Sequence, residues 1–550
     1  MKNYYLTSFI LITILVIAAI LRLWGLNWDQ GFHLHPDERM ISIVAADIHL
    51  PQTTIEWDNL LTKDSVLNPK FFAYGSLPIY LLKITGSLVG APDYQSINIV
   101  GRFLSSIFDL GTIFLIYLVG QNLFNRKIGL ISSFSYAVSV LPIQLSHFYA
   151  VDTLLTFFGM AVFYCLIKFN KYFQFRWLIF SGIFFGLTLS TKTSAVLLFI
   201  PILLIFLTAF KKVPLKKLFD YALCILLLTI VTFLITEPFA LIDLHNFLGQ
   251  TWAQQAMTKS AFTFPYTLQY VGKIPILYEV KNIFFWGLGP FMALLAFLGL
   301  ILIHYQVFKT RDFYIIPILV WFWIYFLIVS SFAIGFMRYL LPIYPLLSLC
   351  TGFFVYQIYR HLKSYFPTSL FVIFTSIFLI LILVWPLTFI SIYDQPNTRV
   401  TATKWIHTNI PIGARILNEH WDDGLPLDRA NLYKIDLLAL YEPETPAKWI
   451  SINNQLQLND YIILASNRLY TPLQKLTNCQ ALPKDRCYRE TANYYQRLFS
   501  NQTGYKKVME FEVRPKIPFT NFYIDDLSAD ESFTVYDHPK VIIFKNTPKI

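Results

Sequence analysis

Long apolar runs separated by short polar stretches fill the chain up to residue 390, and after Ser391 the runs become short and mixed. A helix needs about 20 apolar residues to cross a bilayer. Segments 4–26, 99–124, 128–146, 150–167, 177–191, 193–210, 219–239, 283–305, 313–331, 335–359 and 367–390 meet or approach that length. They predict a polytopic α-helical membrane protein with about eleven transmembrane helices. The short run 177–191 is predicted to be tilted or broken around Lys192. The first run is longer than a signal-peptide core and lacks a small-x-small cleavage site, so it reads as a retained helix.

Two stretches interrupt this pattern. In the outer loop 27–98, Pro36 suits a first helical position, and Asp37 and Glu38 fall in the first turn, where carboxylates complement the helix dipole. Met40, Ile43, Val44 and Ile48 follow at helical spacing and predict an amphipathic helix on the membrane surface. The run 71–89 contains Gly75, Pro78 and Gly86 between Lys70 and Pro92, and is predicted as an interfacial or re-entrant segment. The second interruption begins at Ser391. A helix over 401–408, ended by Pro411 and Gly413, and strands over 414–418, 461–465, 507–513 and 541–544 predict a small extracytoplasmic α/β domain. The expected organisation is a transmembrane domain, 1–390, and an outer domain, 391–550.

Composition sharpens this picture. Hydrophobic residues make up 55% and charged residues only 14%, against about a quarter charged in soluble chains. The net charge of +11 does not point to nucleic acid, because the basic residues gather in alternate short connections. Lys2, Arg126, Lys127, Lys168, Lys171, Arg176, Lys211, Lys212, Lys216, Lys217, Lys309, Arg311, Arg360 and Lys363 mark one side as cytoplasmic. The N-terminus then lies in the cytoplasm, and loop 27–98 and the region after 390 lie outside. Of the five cysteines, Cys165, Cys224 and Cys350 sit in apolar runs, whereas Cys479 and Cys487 can form a bridge in an oxidising compartment.

Charged residues near membrane helices are costly and need a reason. Arg102, His147, Asp152, Lys192, Glu237, Asp243 and Arg338 all fall near the outward helix ends, on the face that carries Asp37 and Glu38. Arg102 can snorkel to the interface, Lys192 and Arg338 can serve as interfacial anchors, and His147 as a buried structural residue. Their convergence on one rim favours a site. Cations at Arg102, Lys192 and Arg338, with His147 beside them, suit the oxygens of a phosphate. A carboxylate at the same place (Asp37, Glu38 or Asp152) suits removal of a proton from a hydroxyl; adjacent helical residues point about 100° apart, which favours Asp37 for the chemistry and Glu38 for support. Together they suggest sugar transfer from a polyprenyl phosphate.

Asp37-Glu38 after the first helix, Gly-Arg-Phe-Leu-Ser-Ser at 101–106, Ser-His-Phe-Tyr-Ala-Val-Asp at 146–152, Thr191-Lys192, and Arg338-Tyr339 through Pro345 carry a family resemblance. Over about 1–390 the chain resembles the GT-C glycosyltransferases of the protein O-mannosyltransferase and aminoarabinose transferase type, glycosyltransferase family 39. The resemblance implies inverting, metal-independent and cofactor-free transfer of a monosaccharide, such as mannose, from a polyprenyl-phosphate donor. The acceptor would be a protein, lipid or polysaccharide at the outer face of the cytoplasmic membrane. Asp37 is the position matching the family's acidic residue at the acceptor. Arg102, Lys192 and Arg338 would bind the lipid phosphate. The match at Asp152 is looser, because Val151 stands where family members often have Arg or Pro. Asn68 and Tyr74 fall in segments resembling the family's acceptor cavity, to which His35 is also assigned. Trp421-Asp422-Asp423-Gly424 faintly resembles the acceptor-reading motif of oligosaccharyltransferases but lacks its paired Trp, and is expected to be a structural turn. The alternatives are a transporter or lipid-linked sugar flippase, which would show repeated halves and midplane charges, and a catalytically inert scaffold.

Overall fold

The computed structural model describes residues 2–210, 213–310, 314–365, 367–428 and 431–547. Lys211, Lys212 and Arg311, used above for orientation, lie outside the described residues. The chain forms two compact units. One comprises Met1–Leu26, Pro36–Ala256 and Pro275–Leu387, the other Asn27–His35, Met257–Ile274 and Thr388–Ile550. The segments 27–35 and 257–274 thus belong with the C-terminal residues, although a boundary at 390 assigns them to the transmembrane domain.

The first unit is helical. Among the described residues, 7 helices are long and apolar enough to cross a membrane, or 8 if the pair Arg126–Ala137 and Val140–Ser146, bent by 59°, counts as one. Arg176–Leu189, Thr193–Thr208 and Ile316–Ser331 are shorter apolar helices. Every segment predicted to cross coincides with one of these, so the protein is a multi-pass membrane protein. The expected break at Lys192 is present: Arg176–Leu189 ends, and a 3-10 turn, Thr193–Leu198, begins after it. Three hydroxyls just before the break bond back to the preceding turn, Thr188 to the Phe184 carbonyl, Ser190 to Gly186 and Thr191 to Leu187. Such back-bonding competes with the helical ladder and bends it.

The helix Pro36–Asp47 forms where its proline and acidic first turn predict it. Glu38, Ile41, Ser42 and Ala45 are buried, whereas Met40 and Ile43 are exposed. Ile41, Ala45 and Ile48 join Leu77, Ile79 and Leu82 in one core, and each large aliphatic buried there contributes about 1.5–3 kcal/mol. The partner helix, Ser76–Leu88, has 13 residues and is too short to cross.

The second unit holds a five-stranded sheet of order β2-β1-β3-β5-β4, with β1 Arg415–Glu419, β2 Lys434–Leu438, β3 Tyr461–Leu464, β4 Tyr505–Phe511 and β5 Val541–Asn546. β2, β1 and β3 are parallel, and β5 runs antiparallel to both β3 and β4. Alternation along the strands feeds two cores. Leu417, Ile462, Leu464, Ile542 and Phe544 face one, and Ile416, Ile463, Val541 and Ile543 the other. The helix predicted over 401–408 is longer, Thr398–Asn409. Cys479 and Cys487 are bridged, with Cα atoms 5.2 Å apart.

Candidate active site

The site is built in the first unit around a backbone seam. The Gly75 N–H donates to the Thr191 carbonyl at 3.1 Å, and the Leu77 N–H to the Ser190 carbonyl at 3.2 Å. A Cβ on Gly75 would lie 1.8 Å from the Ser190 carbonyl oxygen, so only glycine lets these two backbones meet. Glu237 secures the seam by accepting from the Ser76 N–H, and from the Ser76 hydroxyl at 2.7 Å. Tyr74 therefore stands just before the seam and Lys192 just after it.

Tyr74 and Arg338 both meet Asp37. The Tyr74 hydroxyl donates to Asp37 Oδ1 at 2.8 Å, and Arg338 Nη1 bonds Asp37 Oδ2. Arg338 Nη2 also lies 3.3 Å from the Tyr74 hydroxyl. Burial pushes the Tyr74 hydroxyl well above its ordinary pKa, which keeps it a protonated donor to Asp37. Lys192 Nζ donates to Asp152 Oδ1 at 2.9 Å and sits 4.7 Å from the centre of the Tyr339 ring. The Arg338 guanidinium lies 5.7 Å from the same ring. Tyr339 thus stands between two cations, at a distance that suits cation–π attraction. Asp152 Oδ2 is buried and has no hydrogen-bond partner.

Exposure divides the expected residues. The side chains of Asp37, Arg338 and Lys192 remain 21%, 13% and 17% exposed, so a ligand can reach them. Glu38 and Arg102 are fully buried and face each other. Arg102 Nε and Nη2 donate to the two Glu38 oxygens at 2.9 and 2.7 Å, and Nη1 donates to the Leu26 carbonyl at 2.9 Å. Glu38 also accepts from the Tyr149 N–H at 2.9 Å. This pair ties the helix Pro36–Asp47 to Ile97–Leu123 and to the 147–151 turn, which is a positioning role.

His147 is likewise enclosed, its ring nitrogens 2.9 Å from the Ile143 carbonyl and 2.8 Å from that of Trp24. Asn68 donates to Asp243 Oδ2 at 3.1 Å and to the Lys63 carbonyl at 2.8 Å, and so holds the outer loop in shape. His35 belongs to the second unit, where its ring lies 4.3 Å from that of Tyr536. The structure links Asp37 to Tyr74 and Arg338, and Lys192 to Asp152; Arg102 and Glu38 pair with each other, and His147 and Asn68 make the backbone and loop contacts just described.

Sequence reasoning missed three features. Tyr339 was read only as part of a motif. A narrow cavity of about 20 Å³ lies one turn beyond Asp152, lined by Leu155, Thr156, Phe163, Ser194 and Tyr325 among others. A buried ion pair, Arg22 Nε to Asp109 Oδ2 at 2.5 Å, is completed by the Tyr136 hydroxyl on Asp109 at 2.7 Å. The only available signal for that pair was a charge in each of two apolar runs. Among the described residues, no group of three or more His, Cys, Asp or Glu could hold a metal ion.

Residues 77–235 match the model of the family described as Dolichyl-phosphate-mannose-protein mannosyltransferase. No curated protein matches the chain. Among solved structures, the archaeal oligosaccharyltransferase AglB from Archaeoglobus fulgidus, in complex with an inhibitory peptide and a dolichol-phosphate, aligns with a TM-score of 0.56 at 12% identity, covering 99% of this chain and 89% of that one. The Archaeoglobus fulgidus oligosaccharyltransferase with Zn and sulfate aligns at 0.54 and 12%, covering 98% and 88%. ArnT from Cupriavidus metallidurans in the apo state aligns at 0.47 and 11%, covering 85% and 95%.

Proposed function

We propose, from the premise that the chain has the GT-C glycosyltransferase fold, that it transfers a monosaccharide from a polyprenyl-phosphate donor to an acceptor hydroxyl. The observation that carries this reading is the gathering of a reachable carboxylate, Asp37, with two reachable cations, Arg338 and Lys192, around one aromatic ring. Asp37 takes the proton of the acceptor hydroxyl as its oxygen attacks the anomeric carbon. The bond from that carbon to the phosphate oxygen breaks, and the lipid phosphate leaves with the electron pair. Lys192 and Arg338 balance the charge that collects on it. Attack opposite the leaving group inverts the anomeric centre.

Arg338 has two anions to serve, Asp37 and the arriving phosphate. Donor binding draws the guanidinium away from Asp37 and frees the carboxylate to act as a base. Asp152 orients Lys192, and Tyr74 orients Asp37. Glu38 and Arg102 are assigned to the scaffold beneath them. No cofactor enters the scheme.

The match to a mannosyltransferase family model supports a hexose such as mannose, and the dolichol-phosphate carried by AglB is in keeping with a lipid-phosphate donor. The alternating charge of the connections supports a site on the outer face of the cytoplasmic membrane, with a protein, lipid or polysaccharide of the cell envelope as acceptor. The GT-C fold does not favour the transporter or flippase alternative. The test is to disrupt the gene, complement it with wild type or Asp37→Asn, and compare envelope glycans and glycoproteins by mass spectrometry. Loss of one monosaccharide, restored by wild type but not by Asp37→Asn, is expected. Equal restoration by both removes Asp37 from the base role.

A further inference from the structure

The second unit carries an aromatic hairpin that none of this chemistry uses. Residues 515–524 turn back on themselves. Lys516 pairs antiparallel with Tyr523, the Ile517 N–H donates to the Phe522 carbonyl at 2.9 Å, and the Ile524 N–H to the Pro515 carbonyl at 2.9 Å. The Thr520 hydroxyl closes the tip by donating to the Ile517 carbonyl at 2.9 Å. The turn is built to hold large rings outward. Phe519 is 108% exposed, Phe522 72% and Tyr523 58%, and Phe519 adopts a φ of 61°, a region that bulky residues rarely occupy. Three neighbouring aromatic rings in water on a strained tip call for a partner.

The base of the hairpin shows which partner fits. The Lys516 N–H donates to the Ser391 hydroxyl at 2.8 Å. Ser391 directly follows the last apolar helix, Thr368–Ile390, whose final turn, 388–390, belongs to this same unit. Ser391 is therefore the first residue past the last apolar helix and lies in this unit. The tip lies three residues beyond Lys516, about 10 Å at strand rise. Head-group layers extend about 5–7 Å on each side of the hydrocarbon core, a depth that the hairpin is long enough to cross. Its composition also matches: aromatic rings favour the membrane interface, and a lysine beside them suits lipid phosphate. Lys516 Nζ sits 5.8 Å from the Tyr523 ring.

We propose that the hairpin 515–524 is a membrane-interface anchor, which inserts Phe519 and Phe522 among lipid head groups and pairs Lys516 with lipid phosphate. The anchor holds the C-terminal unit against the bilayer surface independently of the transfer chemistry.

The test uses the full chain in nanodiscs of phosphatidylcholine and phosphatidylglycerol. A nitroxide is attached at Phe519→Cys, Phe522→Cys or, as a reference in the same unit, Ile412→Cys (Ile412 is 77% exposed). Signal from the unsubstituted chain, which carries free Cys165, Cys224 and Cys350, is subtracted. Relaxation by molecular oxygen, which concentrates in lipid, is compared with relaxation by a water-soluble nickel chelate. Labels at 519 and 522 are expected to favour oxygen, and the label at 412 to favour nickel. Nickel access at 519 and 522 equal to that at 412 overturns the proposal. So does protection that arises only when a soluble protein is added.

Discussion

The buried Glu38–Arg102 pair can be tested by a double-mutant cycle with Arg102→Met and Glu38→Gln. In the structure the guanidinium makes two charge-assisted bonds to Glu38, at 2.9 and 2.7 Å, and one to the Leu26 carbonyl, with both side chains 0% exposed. Arg102→Met takes the counter-charge away from a buried carboxylate, and Glu38→Gln does the reverse. Breaking a buried pair from one side costs about 3–5 kcal/mol, or roughly 10²–10⁴-fold in the ratio of folded to unfolded protein. The double variant carries no buried charge at this place and should lose much less than the two single changes together. The coupling should lie toward the upper end of the roughly 0.5–3 kcal/mol seen for residues in contact. The assay is reversible unfolding in mixed micelles titrated with dodecyl sulfate and followed by tryptophan emission. The donor KM is measured in parallel on the folded fraction and is expected not to change. A stable Arg102→Met protein with a raised donor KM would refute the positioning role and restore Arg102 as a phosphate ligand.

Asp37→Asn keeps an oxygen for the Tyr74 hydroxyl and removes the base, so kcat should fall by about 10²–10⁴ while the protein stays folded. Donor KM should not rise, because Arg338 loses its competing carboxylate; steady-state kinetics with a polyprenyl-phosphate sugar reads both, and undiminished kcat counts against the mechanism. Gly75→Ala places a methyl 1.8 Å from the Ser190 carbonyl. It should force the outer loop off the seam and lower both kcat and donor affinity, and wild-type kinetics would show that the seam is not needed. In the second unit, burial pushes the Glu419 carboxyl up to about 8. A raised folded-state value means that its contribution to stability is full below its unfolded value of about 4.3 and is lost as pH rises through 8. Amide exchange in β1, corrected for intrinsic rate, should therefore quicken between these limits, and Glu419→Gln should flatten the dependence.

The membrane helices were legible because each is a long apolar run, and lipid accepts little else. The break at Lys192 was legible for the same reason, since a lysine and four hydroxyl residues end an apolar stretch there. The outward-facing Met40 and Ile43 of Pro36–Asp47 are legible from spacing, but the packed stripe is not, because it contains Glu38 and Ser42. Periodicity counts apolar residues and cannot see a carboxylate neutralised by an arginine 64 positions away. For the same reason sequence shows Arg102 as a cation near a helix end but not its partner, Glu38. β2 was missed because most of its residues are not buried, and pairing with β1 rather than burial makes it a strand. The spacing of Cys479 and Cys487 permits the bridge without requiring one.

The Gly75 seam also acts as a ruler. Tyr74 fixes the base from one side of it, and Lys192 follows the other side within one residue of Thr191. Under the proposed transfer, the gap between the base Asp37 and the phosphate-binding Lys192 depends on this one stretch of backbone. On that reading, a glycosyl ring must fit the gap to be handed across. Exchanging charges at either end would alter how fast a sugar moves but not which ring fits. Adding or removing a residue between 71 and 75 would change the gauge itself, and with it the choice between a smaller and a larger sugar.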